Sequence, residues 1–101
     1  MKKIAILGST GSIGVSTLKV IEANPGVFSV NLLAAESNAN LIFEQCQKFN
    51  PRYIYLKQDS SAKELKDKLS SKKLNTSVVD EDDFLKITSG SEVDIVVAGI
   101  V

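Results

Sequence analysis

A chain of 101 residues is one domain or part of one. Its 44% hydrophobic and 24% charged residues are ordinary globular usage and argue against disorder or a fibre. Twelve Lys and Arg balance twelve Asp and Glu, so the basic excess that a nucleic-acid binder needs is missing.

The chain opens with Lys2-Lys3 followed by the apolar run Ile4-Ala5-Ile6-Leu7, which Gly8 breaks. Four apolar residues are too few for a secretory signal or a membrane span, so a cytoplasmic protein without membrane contact is expected. Residues 3–7 read as a short buried strand, apolar on both faces and therefore central in its sheet. Ser12 to Ala23 reads as a helix with Ile13, Leu18 and Ile21 near one face, ended by Asn24-Pro25-Gly26. Residues 28–35 form the second strand. Asn38 or Asn40 caps the next helix, whose Ile42, Cys46 and Phe49 recur at helical spacing before Asn50-Pro51.

Tyr53 to Leu56 is a third strand, with Tyr53 and Tyr55 on one face. Ser61 and Glu64 have capping-box spacing ahead of a helix with the stripe Ala62, Leu65 and Leu69. Residues 76–79 make a weak fourth strand. Asp80 to Asp83 place negative charge at the start of a short helix with apolar positions Phe84, Leu85 and Ile87, closed by Ser89-Gly90. Asp94 to Ala98 form the fifth strand. No internal repeat, low-complexity tract or linker interrupts the order. Apolar strands alternating with helices specify an α/β domain: a parallel sheet of about five strands, helices on both faces, right-handed crossovers.

The chain has no His, which excludes His bases, His metal ligands and Ser-His or Cys-His nucleophiles. One Cys excludes an intrachain disulfide and a multi-Cys zinc site. Cys46 lies on its helix's apolar stripe and reads as core packing. The acids Asp80-Glu81-Asp82-Asp83 fan outward from a helix start, so a solvated cap and no metal site is expected. Lys63, Lys66, Lys68, Lys72 and Lys73 alternate with acids and read as a wet helix face.

What remains is binding. Three of six glycines fall in Gly8-Ser9-Thr10-Gly11-Ser12-Ile13-Gly14, between the first strand and the first helix. Gly8 suits a sharp exit from the strand, Gly11 the close approach of a diphosphate, and Gly14 close packing of helix on sheet. The helix start adds unpaired N–H groups and its positive dipole end, and Ser9, Thr10 and Ser12 add hydroxyls. No Lys follows as in the ATPase phosphate loop. Glu36 stands 22 residues past Gly14 at the end of the second strand, where an acid holds the adenosine ribose hydroxyls. On its own it favours NAD, and no Lys or Arg lies between Glu36 and Lys48 to receive a 2′-phosphate. Together these features specify a Rossmann-like doubly wound sheet. A structural turn and a solvated loop acid remain open as readings of the glycine loop and of Glu36.

The loop, then Ser16-Thr17-Leu18, Asn24-Pro25, Phe28, Ala34-Ala35, Asn38, Phe49 with Pro51, and Ala98-Gly99-Ile100-Val101 together resemble 1-deoxy-D-xylulose 5-phosphate reductoisomerases. The resemblance covers the whole chain but only the first part of the cofactor domain of that larger enzyme. It implies an NADPH-dependent oxidoreductase of the non-mevalonate isoprenoid pathway, which rearranges and reduces its sugar phosphate to 2-C-methyl-D-erythritol 4-phosphate. Gly8 and Gly14 would shape the loop, and Thr10, Gly11, Ser12 and Ile13 would contact cofactor phosphate and ribose. Positions Glu36, Ser37 and Asn38 would surround the 2′-phosphate, and Ala98 and Gly99 would lie near the nicotinamide. Glu36 departs from the family's usual glycine and Ser37 from a residue that is often basic, so only modest NADPH preference is expected; on the nicotinamide side, Gly99 stands where the family more often has Ala.

The apolar end, Asp94 to Val101, lacks a polar tail, so the chain is expected to be truncated: residues 1–101 as an N-terminal dinucleotide-binding domain, without the catalytic and C-terminal domains. The resemblance places the Mg or Mn ligands, the sugar-phosphate site and the homodimer contacts in the full-length enzyme, and implies no turnover by this chain alone. Two other readings stand beside it: the cofactor domain of another reductase with a GxxGxxG loop, and a non-enzymatic nucleotide-sensing domain.

Overall fold

Nine elements alternate along the chain, strand first, in a computed structural model that describes residues 1–99. They are β1 (Lys2–Leu7), α1 (Ser12–Ala23), β2 (Phe28–Ala35), α2 (Ala39–Phe49), β3 (Tyr53–Leu56), α3 (Asp59–Lys72), β4 (Ser77–Val78), α4 (Glu81–Ser89) and β5 (Ile95–Ala98). The five strands form one parallel sheet in the order β4-β3-β2-β1-β5. The chain steps outward from β1 to β4, then returns across the sheet to place β5 on the other side of β1. That reversal creates a topological switch point between β1 and β5.

Two apolar layers flank the sheet. On one face Ile4, Ile6, Leu33, Ile54 and Leu56 meet Leu18 and Ile21 of α1, Ile42 and Cys46 of α2, and Leu65 and Leu69 of α3. On the other, Ala5, Leu32 and Ala34 meet Ile87 and Phe84 of α4. The sheet is thus doubly wound but unevenly, with three helices on one face and one on the other. The period-2 alternation of strand side chains sorts residues between the layers. A register shift between Ile4 and Ala5 leaves Asn31 as an extra residue in β2. Its amide donates to the Glu92 carbonyl oxygen at 3.0 Å, tying β2 to the turn before β5.

Several expectations need correction. β1 is interior, but the middle of the sheet belongs to β2, which is buried from Val30 to Ala35. Ile13 is 50% exposed; Gly14, Leu18 and Ile21 form the inner stripe of α1, and Ile13 projects beside it. α3 begins two residues before the expected capping box. Ser61 therefore lies inside the helix, buried, and its hydroxyl donates to Gln58 Oε1 at 3.0 Å. Leu85 is 55% exposed because Phe84 and Ile87 take the inner positions of α4. Ile100 and Val101, part of the apolar end, lie outside the described residues. Among the described residues no helix is long and apolar enough to cross a membrane.

Candidate functional site

β1 delivers the chain to the switch point at Leu7, and Gly8 turns it with φ +85°. The Gly8 and Ser9 N–H groups both donate to the Ala34 carbonyl oxygen, at 2.7 and 3.0 Å, which pins the loop to the end of β2. The Gly11 N–H donates to Gly8 O at 3.0 Å and closes a tight turn. Gly11 then occupies the N-cap of α1 in extended conformation, with no side-chain cap. Asn38 and Asp80, by contrast, cap α2 and α4 through their side chains. The start of α1 is left to present its amides and dipole to an anion.

The glycines differ in what they do. A Cβ on Gly14 would lie 2.2 Å from Gly8 O and 2.6 Å from Ser9 Cα, so α1 approaches the loop only because that side chain is absent. A Cβ on Gly11 would meet Gly8 O at 3.4 Å, ordinary contact, so Gly11 keeps the outer surface of the loop open. At the end of β5, the Gly99 N–H donates to Leu7 O at 2.8 Å. A Cβ there would lie 3.2 Å from Ile13 Cβ and 3.3 Å from Gly14 N. The sheet reversal therefore brings the carboxyl end of β5 against the start of α1, although the two are far apart in sequence.

Ser9 contradicts its expected role as a hydroxyl donor to phosphate. It is fully buried, and its hydroxyl points inward without a protein partner. Its carbonyl oxygen accepts a 2.8 Å hydrogen bond from Gln45 Nε2 on α2. Thr10 is half-buried, while Ser12 and Ile13 are exposed along the α1 entrance.

Beside the loop lies a cleft of about 340 Å³, walled by Gly8, Thr10, Gly11, Glu36, Lys57 and Phe84. Phe84 stacks on Tyr55, with ring centroids 4.4 Å apart and planes 13° from parallel. Burial raises the Tyr55 phenol pKa above its ordinary value, helped by the nearby charges of Glu81 and Asp59. Glu36, Ser37 and Asn38 lie exposed on the turn after β2. Asn38 Oδ1 accepts the Leu41 N–H at 3.1 Å, which commits its oxygen to capping α2 and leaves its amide N–H groups to donate. Of the expected site residues, Gly8, Thr10, Gly11 and Glu36 share this cleft. Ser12 and Ile13 flank a second, shallower depression along α1, and Gly99 touches Ile13 and Gly14. Ala98 lies exposed on β5.

Three residues of the site were not singled out from sequence. Gln45 holds the loop from behind; its only signal is a polar residue within the stripe Ile42–Cys46. Lys57 reaches the cleft from the end of β3, and Phe84 from the opposite helix layer. Cys46 is buried, its thiol pKa raised by burial against the opposing effect of a 3.1 Å hydrogen bond to Thr76, as suits a core thiol. Asp80 Oδ1 accepts the Asp83 N–H at 2.9 Å, so the acid run serves as a helix cap. Among the described residues no group of three or more His, Cys, Asp or Glu is placed to hold a metal ion. The residues present do not fit a divalent metal centre.

Comparison with known proteins gives this geometry its context. A family model described as 1-deoxy-D-xylulose 5-phosphate reductoisomerase matches residues 4–101. The chain belongs to that family. It is 41% identical over its whole length to the reductoisomerase of Buchnera aphidicola subsp. Schizaphis graminum, and 44% identical over 99% of its length to that of Proteus mirabilis. It covers 26% and 25% of those proteins, about a quarter of the reductoisomerase length. Among solved reductoisomerases, one in complex with NADPH, fosmidomycin and magnesium superposes with a TM-score of 0.91 at 31% identity, over 99% of this chain and 24% of that one. The Zymomonas mobilis reductoisomerase in complex with NADPH gives 0.73 at 28% identity, over 83% and 22%.

Proposed function

We infer that residues 1–101 are the N-terminal NADPH-binding domain of a longer enzyme that isomerises and reduces 1-deoxy-D-xylulose 5-phosphate to 2-C-methyl-D-erythritol 4-phosphate, in non-mevalonate isoprenoid biosynthesis. The observation that carries the reading is the Gly8–Gly14 loop. It joins a positive-φ exit from β1, an open Gly11 surface and an α1 start without side-chain cap, all at the switch point of the sheet. Family membership and solved relatives in complex with NADPH support it.

In this reading the bound NADPH supplies the hydride. Gly11 and the first-turn amides of α1 hold the pyrophosphate, with Thr10, Ser12 and Ile13 along its edge. Gly8 and Gly14 shape the loop. Glu36, Ser37 and Asn38 surround the adenosine 2′-phosphate, and Ala98 and Gly99 flank the nicotinamide side. These groups bind and orient; none of them moves a proton. The divalent metal, Mg or Mn, and the phosphorylated sugar are held by residues outside this chain, so 1–101 alone binds cofactor without turnover. The full-length enzyme is a cytoplasmic homodimer.

The test is calorimetric titration of NADPH into the natively expressed protein, followed by an assay with 1-deoxy-D-xylulose 5-phosphate and a divalent metal. Saturable binding and substrate-dependent loss of NADPH absorbance are expected. No binding, or oxidation of NADPH without formation of the methylerythritol phosphate, sinks the reading.

A further inference from the structure

The turn after β2 poses an electrostatic problem. A 2′-phosphate surrounded by residues 36–38 sits beside the Glu36 carboxylate, and like charges at close range repel. The sequence offers no cation between Glu36 and Lys48, and Lys48 is engaged with Glu22 on α1. Tertiary structure supplies one from the next strand. β2 and β3 pair in parallel with Ala34 beside Tyr55 and Ala35 beside Leu56. Just past that last pair the two chains leave their strands side by side, at Glu36 and Lys57. Two backbone hydrogen bonds hold them there: the Lys57 N–H donates to Ala35 O at 3.1 Å, and the Gln58 N–H to Glu36 O at 2.9 Å.

Ala34 and Phe84, which pack on the same face of the sheet, line one cleft with both Glu36 and Lys57. Thr10 and Gly11 of the glycine loop wall it as well. Lys57 is the one cation among the residues lining it. Among the described residues its ammonium takes part in no ion pair, whereas Arg52, at the other end of β3, is occupied by Glu92 at 3.4 Å. Lys57 is exposed, so its long stem is free to swing the charge toward a ligand.

We propose that Lys57 is the cofactor-specificity residue of this domain: its ammonium binds the adenosine 2′-phosphate and offsets Glu36, so selectivity for NADPH over NADH resides in a residue on β3's end rather than in the turn after β2. The proposal rests on the NADPH-site reading above. It stands against the expectation of modest selectivity, which rested on Glu36 and Ser37 in the turn after β2.

The experiment compares the natively expressed protein with Lys57→Gln and Lys57→Arg, titrating NADPH and NADH separately by calorimetry. Losing a charge-assisted contact lowers NADPH affinity by about 10- to 100-fold. NADH affinity stays within about twofold, because NADH has no 2′-phosphate; the same constancy shows that Lys57→Gln is folded. Lys57→Arg retains the NADPH preference. If Lys57→Gln weakens both dinucleotides equally, the lysine meets the pyrophosphate or a ribose and the proposal is overturned. If it leaves NADPH affinity unchanged while the unaltered protein binds NADPH, the proposal falls and the site reading survives. If the unaltered protein binds neither dinucleotide, the site reading itself has failed and takes the proposal with it.

Discussion

The Cα of Gly14 lies so close to the Gly8 carbonyl that a methyl group on it would sit 2.2 Å from the oxygen. Both partners are backbone, and the Gly8 turn is held by two hydrogen bonds to Ala34, so neither can yield cheaply. Gly14→Ala is therefore expected to destabilise the domain by about 1–3 kcal/mol, the range for overpacking. A lower urea midpoint with unchanged slope is the signature. Gly11→Val is the complementary change. Its Cβ has room, and its backbone (φ −81°, ψ 173°) suits a β-branched residue. The urea midpoint should barely move, while NADPH affinity drops by about 1–3 kcal/mol as the side chain fills the approach to the loop. A Gly11→Val protein with unaltered affinity by calorimetry would remove the loop from the binding surface.

Gln45 connects α2 to the glycine loop through one buried bond to Ser9 O. Gln45→Leu keeps the volume but leaves that carbonyl oxygen without its donor. A buried acceptor without a partner costs about 1–3 kcal/mol. Thermal melting should fall accordingly. NADPH binding should weaken as well, because the loop loses its support from behind. Unchanged melting would mean that the Ser9 carbonyl finds another donor, or that removing the buried, unpartnered Gln45 Oε1 offsets the lost bond.

Asp80 caps α4, and Glu81, Asp82 and Asp83 place three more acids in its first turn. Asp80→Ala should cost about 0.5–2 kcal/mol through the lost cap. Because α4 is the one helix among the described residues on its face of the sheet and carries Phe84 into the cleft, hydrogen exchange should rise first in α4 and around the Tyr55–Phe84 stack. Uniform exchange across the sheet would show that α4 does not open separately.

The phenol pKa values of Tyr53 and Tyr55 are both raised by burial, and that of Tyr53 further by its hydrogen bond to Glu92. A phenol with a higher pKa folded than unfolded keeps its proton in the fold where the unfolded chain has released it. Its contribution is complete below the ordinary tyrosine pKa of about 10 and is lost as the pH climbs through the folded value. Melting temperature should therefore fall above about pH 10, and Tyr55→Phe should flatten that fall. Tyr55 absorbance at 295 nm, followed in Tyr53→Phe, should titrate later than free tyrosine; titration at the free value would contradict the burial argument.

Among the described residues β5 is an edge strand that pairs only with β1, and it carries the exposed Ile95 and Val96. An exposed apolar edge invites pairing between chains. The 1–101 polypeptide should self-associate with rising concentration, and Val96→Lys should shift it toward monomer in light scattering. A monodisperse monomer before substitution would remove the edge as a liability.

The order of elements was legible in the sequence because each depends on its own neighbours. Asn24-Pro25-Gly26 ends α1, Asn38 begins α2, Asp80 begins α4, and the strands are short apolar runs between them. The glycine loop was legible for the same reason: a strand, a turn and a helix start within a few residues. Local signals erred where two residues competed for one inward position. Gly14 displaced Ile13, Phe84 and Ile87 displaced Leu85, and Gln58 took the cap expected at Ser61. What only the tertiary structure decided are the neighbours across strands. Gly99 meets Ile13 because β5 crosses back to β1, Gln45 meets Ser9 because α2 packs behind the loop, and Lys57 comes to lie beside Glu36 because β3 pairs with β2. Those meetings depend on strand order and register, set by how apolar faces pack on one another across the whole sheet, and no window of consecutive residues contains that information.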